Sequence, residues 1–226
     1  MESKLPKFVS VIIVTMLFLA ILPAYADVPS EPHTAPAMWI EPSTINVLDL
    51  GLGVGDKFNV TVWVNMDVAS YTWQFKILYN KAQLKALRAG YTHGAKSDFF
   101  DFAGSSTVPV TPMIGSYDAT RDFVLHGESL MGDIKRDPGT GSLSWVEFEI
   151  MASPPPAGTL ESDLDITTTY ATADTYVLTP DLASITLTPY NAHYKYAYAA
   201  PPKPHLAVDP AYTEFLQYPP SSVGKE

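Results

Sequence analysis

The chain has no cysteine among its 226 residues. That excludes a disulfide framework, thiolate metal sites, iron–sulfur chemistry and a cysteine nucleophile. Positive charge is also scarce, with 14 Lys and Arg against 24 Asp and Glu, and so acidic a surface repels nucleic acid and anionic lipid. The five histidines, His33, His93, His126, His193 and His205, show no ligand spacing such as His-x-x-x-His, so no metal site is assigned to them. Extended 3.6-residue periodicity is lacking as well. The only helix-like stretch is Lys81 to Arg88, where Ala82, Leu84 and Leu87 fit one or two turns.

One long apolar run is present, from Phe8 to Leu22, preceded by Lys4 and Lys7 and followed by Pro23 and Ala24-Tyr25-Ala26. Its length falls short of the roughly 20 residues a spanning helix needs, and its flanks match a secretory signal with an A-x-A site. Residues 1–26 are therefore expected to be a signal peptide cleaved after Ala26, which makes the protein secreted or extracellular. Membrane attachment would come only from an uncleaved signal segment or from an anchor beyond the present C-terminus. Residues 27–37, with three prolines and little to pack, read as a linker.

From Met38 the dominant period is two. Phe58, Val60, Val62 and Val64 alternate with Asn59, Thr61 and Trp63, and Tyr71, Trp73, Phe75, Ile77 and Tyr79 alternate with Thr72, Gln74, Lys76 and Leu78. Further strands are expected over Arg121 to His126, Ser144 to Met151, Leu164 to Thr168, Tyr176 to Leu178, Ser184 to Leu187 and Tyr194 to Tyr198, separated by turns such as Asp137-Pro138-Gly139. This pattern predicts an all-β sandwich or barrel. A domain of this size buries enough surface to be stable without disulfides.

The end of the chain resembles its beginning. Met38-Trp39-Ile40-Glu41-Pro42 followed by Val54-Gly55-Asp56-Lys57 is matched by Leu206-Ala207-Val208-Asp209-Pro210 followed by Val223-Gly224-Lys225-Glu226. Residues 205–226 thus read as the start of a truncated second module, and residues 199–204 as a proline-rich linker before it.

Val54-Gly55-Asp56-Lys57-Phe58 opening a strand, Ile77-Leu78-Tyr79-Asn80 with Leu84 beyond it, and Gly141-Ser142-Leu143-Ser144-Trp145-Val146-Glu147-Phe148 together resemble the cohesin pattern. They span most of residues 38–198. The resemblance implies a jelly-roll β-sandwich of about nine strands that binds a partner, a dockerin-like module of another exported protein, on one flat face. The family's partner-holding Asn and Asp fall by position on Thr72 and Gln74, which differ in type, and Asn80 replaces the family's Asp. With Lys76 these two residues form the expected partner-binding face.

Other motifs carry less. Gly51-Leu52-Gly53-Val54-Gly55 leads into a strand rather than a helix, which excludes a phosphate-binding loop. Gly127-Glu128-Ser129-Leu130-Met131 lacks the second glycine of a nucleophile elbow. Neither supports catalysis, so the chain reads as a non-enzyme. Asp98, Asp101, Asp118 and Asp122 leave a structural calcium ion open as the one inorganic ligand, and no other cofactor is implied. Trp63 and the stripe Tyr194, Tyr196 and Tyr198 are candidates for stacking on sugar rings, and Asn59-Val60-Thr61 is a glycosylation sequon at Asn59. The functional expectation is an extracellular recognition module for a dockerin-like protein or for polysaccharide. The alternatives are a carbohydrate-binding module and a structural repeat of a surface-layer or adhesive protein.

Overall fold

The computed structural model describes residues 28–168 and 174–200. The expected signal segment, the expected second module and residues 201–204 of the proline-rich linker lie outside the described residues.

Nine strands of five or more residues carry the fold: β1 (Ala37–Glu41), β3 (Lys57–Met66), β4 (Thr72–Asn80), β5 (Leu84–Tyr91), β6 (Thr107–Ser116), β7 (Arg121–Leu130), β8 (Gly139–Ile150), β9 (Thr159–Ile166) and β13 (Ala192–Ala197). Short pieces complete the sheets: β2 (Thr44–Asn46), β10 (Tyr176–Leu178), β11 (Ser184–Ile185) and β12 (Thr188–Tyr190). The first sheet runs β12-β1-β3-β8-β5. In the second, β4 is central. Its whole length pairs with β7, while its other side meets β10 at Thr72–Gln74 and β9 at Ile77–Leu78. β6 lies outside β7, and β13 and β2 continue beyond β9. The result is the expected all-β jelly-roll sandwich.

Period-two patterning decides which side of each sheet is wet. Val60, Val62 and Val64 of β3 and Trp73, Phe75 and Ile77 of β4 are buried in one core between the sheets. Each contributes about 1.5–3 kcal/mol by leaving water. Trp73 and Phe75 lie nearly parallel at 5.9 Å, and the ring of His126 meets both edge-on.

Two expectations are corrected here. The stretch Lys81 to Arg88 is not helical: Leu84–Tyr91 forms edge strand β5 on β8, with a register shift between Ala86 and Arg88. That bulge breaks the alternation, and the apolar residues then fall at helix-like spacing. Nor do residues 28–36 behave as a linker. Ser30 N, Ser30 Oγ and Glu31 N donate to the Glu41 carboxylate, Asn65 Nδ2 donates to His33 O, and the His33 ring stacks on Tyr190 at 3.7 Å. This arm covers the outer side of the first sheet at β1 and β3.

Candidate functional site: the outer face of the β6-β7-β4-β10 sheet

Since Trp73, Phe75 and Ile77 point inward, Thr72, Gln74 and Lys76 point outward from β4, as the alternation predicts. On β7, Val124, His126 and Leu130 are buried, which turns Phe123, Leu125, Gly127 and Ser129 outward. Cross-strand register then brings Val108, Val110 and Met113 of β6 to the same face, opposite Ser129, Gly127 and Leu125. Glycine keeps this face flat at two places. At Gly127 a Cβ would sit 2.9 Å from the Trp73 carbonyl oxygen, and at Gly115 one would sit 2.9 Å from the Phe123 ring.

The polar half of the face is held internally. Thr72 Oγ1 and Ser129 Oγ are 2.8 Å apart across the β4–β7 pair. Gln74 Nε2 donates to the Asp174 carbonyl at 2.8 Å, and Lys76 N donates to Thr175 Oγ1. The Lys76 ammonium is ion-paired with the buried Asp174 carboxylate and lies over the rings of Phe123 and Tyr117, at 5.2 and 5.7 Å. Its charge is therefore largely neutralised on the spot. The apolar half is open: Val108, Val110 and Met113 are 48%, 44% and 56% exposed.

β6 is the outermost strand of this sheet, yet Pro109 and Pro112 deprive it of two N–H donors. Edge prolines discourage the addition of another strand. This edge therefore leaves the side chains of the face, rather than main-chain pairing, open to contact. The ridge is not among the residues that the sequence pattern singles out. Its signal was the alternation Val108-Pro109-Val110, masked by the two prolines.

The expected sugar-stacking residues are placed elsewhere. Trp63 does point away from the core, but it is only 2% exposed and packs against Trp39 beneath the arm. Tyr194 is fully buried against Phe58, and burial pushes its hydroxyl up to about 12. Both are corrected as stacking candidates, because each ring face is already covered by protein. Tyr196 is half-buried against the core and Tyr198 is 37% exposed at the end of β13. Asn59 is exposed on the outer side of the first sheet, opposite Glu147.

The four aspartates do not converge. Asp98 accepts from Thr92 Oγ1 and from the N–H groups of Phe100 and Asp101, and Asp101 accepts from Gly94 N. Asp118 and Asp122 lie at the opposite end of β7, in the β6–β7 turn and the strand that leaves it. There Asp118 binds Arg121 and Thr120, contacts that hold its carboxyl well below the usual range. Among the described residues no group of three or more His, Asp or Glu is placed to hold a metal ion.

A different titratable cluster closes the β7 end of the interior. His93 Nε2 lies 2.8 Å from Glu128 Oε1 and its Nδ1 lies 3.7 Å from Asp98 Oδ2. Burial raises both carboxyls above their ordinary values. His126 Nδ1 meets Ser144 Oγ at 2.9 Å, and burial lowers this imidazole to about 4. The Tyr91 hydroxyl inserts at the β6 bulge, donating to Gly127 O and accepting from Val110 N.

No family model matches the chain, and no curated protein matches it. Among solved structures it is similar to a non-cellulosomal cohesin from the hyperthermophilic archaeon Archaeoglobus fulgidus, with 12% identity over 72% of this chain and 91% of that one and a TM-score of 0.43. It is also similar to the sixth cohesin of scaffoldin B from Acetivibrio cellulolyticus, solved in complex with a Cel5 dockerin mutant, with 14% identity over 70% and 96% and a TM-score of 0.45. A type II cohesin module of the adaptor scaffoldin ScaA of the same species gives 13% identity over 80% and 100%, and a TM-score of 0.44. These solved structures are cohesin modules, the family whose motifs the sequence resembles.

Proposed function

We propose that the chain is a non-catalytic, extracellular protein-recognition module that docks a dockerin-like partner on the outer face of the β6-β7-β4-β10 sheet. The observation that carries this reading is the exposed ridge of Val108, Val110 and Met113 beside a polar half whose charge is already neutralised. Such a surface sets exposed apolar area beside satisfied hydrogen-bonding groups, a mixture that protein interfaces share. Thr72, Gln74 and Lys76 supply the polar half and fix the shape of the face. The opposite sheet has no comparable opening at its aromatic pair, since Trp39 and Trp63 are sealed by the protein's own arm.

The test is capture of dockerin modules by the purified chain, with and without calcium, alongside a panel of soluble and insoluble polysaccharides. Dockerin capture that is lost in Val110→Asp supports the reading. Saccharide retention without protein capture replaces it with a carbohydrate-binding module.

A further inference from the structure

We propose that His93, Asp98 and Glu128 form a proton-dependent fastener that holds strand β6, and with it the exposed apolar ridge, against the rest of the sandwich.

The three side chains come from different elements. His93 follows β5, Asp98 lies in the segment before β6, and Glu128 is on β7 with its carboxylate turned inward. Glu128 stands directly opposite Pro109 of β6 in the β6–β7 ladder. Asp98 organises its segment through Thr92, Phe100 and Asp101, and Ser142 of β8 bonds Thr92 and Ser97 within the same network. Breaking the fastener would therefore release the start of β6 and the segment leading to it together.

The proton count makes the fastener sensitive to pH. Each imidazole nitrogen faces a buried carboxylate, yet a neutral imidazole has one N–H. It can serve one carboxylate as donor while its lone pair confronts the other. The trio is satisfied at both contacts when it holds one further proton, either as imidazolium or on a carboxyl. Among the described residues no lysine or arginine is ion-paired with Asp98 or Glu128, so His93 is the basic side chain that faces them.

The other titratable groups facing the trio are His126 of β7 and Tyr91 of β5, whose rings are in contact, and Asp101, which binds Gly94 N. None of these supplies a compensating positive charge at neutral pH: His126 stays neutral and Tyr91 is pushed up to about 12. Burial and the mutual repulsion of the two carboxylates raise Glu128, which acts in the same direction. A group held protonated to higher pH in the folded state stabilises that state in acid, and this contribution declines as pH rises through its folded value. The fastener is accordingly tight in mild acid and loosens toward alkaline pH.

Hydrogen exchange on the full chain tests this, comparing β6 with β3 at about pH 5 and about pH 8, a range that lies above the ordinary carboxyl values of about 4 and into which burial pushes Asp98 and Glu128. Rates are corrected for the intrinsic pH dependence of exchange. The expected result is that protection of residues 107–116 relative to residues 57–66 falls roughly tenfold across this range in the wild type, as local opening becomes easier. In His93→Gln and in Glu128→Gln the ratio is expected to stay constant, and in His193→Gln, a change at a distant exposed pair, to fall as in the wild type. A wild-type ratio that does not change, or a fall retained in both fastener variants, overturns the proposal. The consequence for docking rests on the reading of the outer face, but the exchange experiment reads the strand alone. Loss of capture with normal exchange behaviour would count against the docking reading and not the fastener.

Discussion

The indoles of Trp39 and Trp63 lie nearly parallel, at an interplanar angle of 16° and a centroid separation of 6.3 Å, on the outer side of the first sheet. Both are buried, because residues 28–36 fold back across them and set His33 edge-on to Trp39. An aromatic pair in this position would be a sugar platform if bare. Under the arm it is a second, small core. Trp63→Ala is therefore expected to lower stability by about 3–5 kcal/mol, the usual loss for a large buried aromatic. It should leave saccharide retention of the folded protein unchanged. Chemical denaturation and affinity electrophoresis check the two halves.

The arm depends on one carboxylate. Glu41 receives the backbone N–H groups of Ser30 and Glu31, the Ser30 hydroxyl and the Trp39 indole N–H. Glutamine at this position turns one acceptor into a donor that faces donors. Glu41→Gln is expected to cost about 1–3 kcal/mol, the penalty for buried polar groups left unmatched. Hydrogen exchange at the Ser30 and Glu31 amides, which donate to Glu41, should be faster in this variant than in the wild type. Equal exchange rates would show that the arm is held by its remaining contacts, the Asn65–His33 bond and the ring stacking.

His126 gives a pH dependence of its own, opposite in sign to that of the fastener. Its folded value of about 4 lies below the ordinary 6.5, so between these values the unfolded chain binds a proton that the folded chain does not. Stability from this group is present above about pH 6.5 and is lost as pH falls toward 4. The shift corresponds to a loss on the order of 3 kcal/mol. Comparing the wild type with His126→Gln isolates it: the difference between their unfolding free energies should change across that window and be flat above it.

Much of this architecture is legible in the sequence because its longest strands alternate cleanly. The inward and outward residues of β3 and β4 follow from period two alone, including the outward direction of Trp63 and Lys76. What alternation cannot report is what lies over an outward residue. Trp63 is covered by an arm some 30 residues earlier in the chain, and Lys76 by Asp174, nearly 100 residues later. β5 looks helical in sequence because its bulge shifts the phase of the pattern. β6 escaped notice because Pro109 and Pro112 argue against a strand, although an edge position tolerates them. The fastener joins histidine and carboxylates from three separate elements, and no spacing rule links them.

The outer face of the second sheet carries the functional account, and one measurement tests it most directly: equilibrium binding of dockerin modules to the wild type and to Val110→Asp, with denaturation curves for both. Val110 is exposed, so the substitution should alter stability by no more than about 0.5 kcal/mol. The predicted result is saturable binding by the wild type that weakens at least roughly tenfold in the variant, as expected when a charge enters the apolar part of an interface. Binding of equal strength to both proteins, or none to either, would contradict the claim that this ridge is the recognition surface.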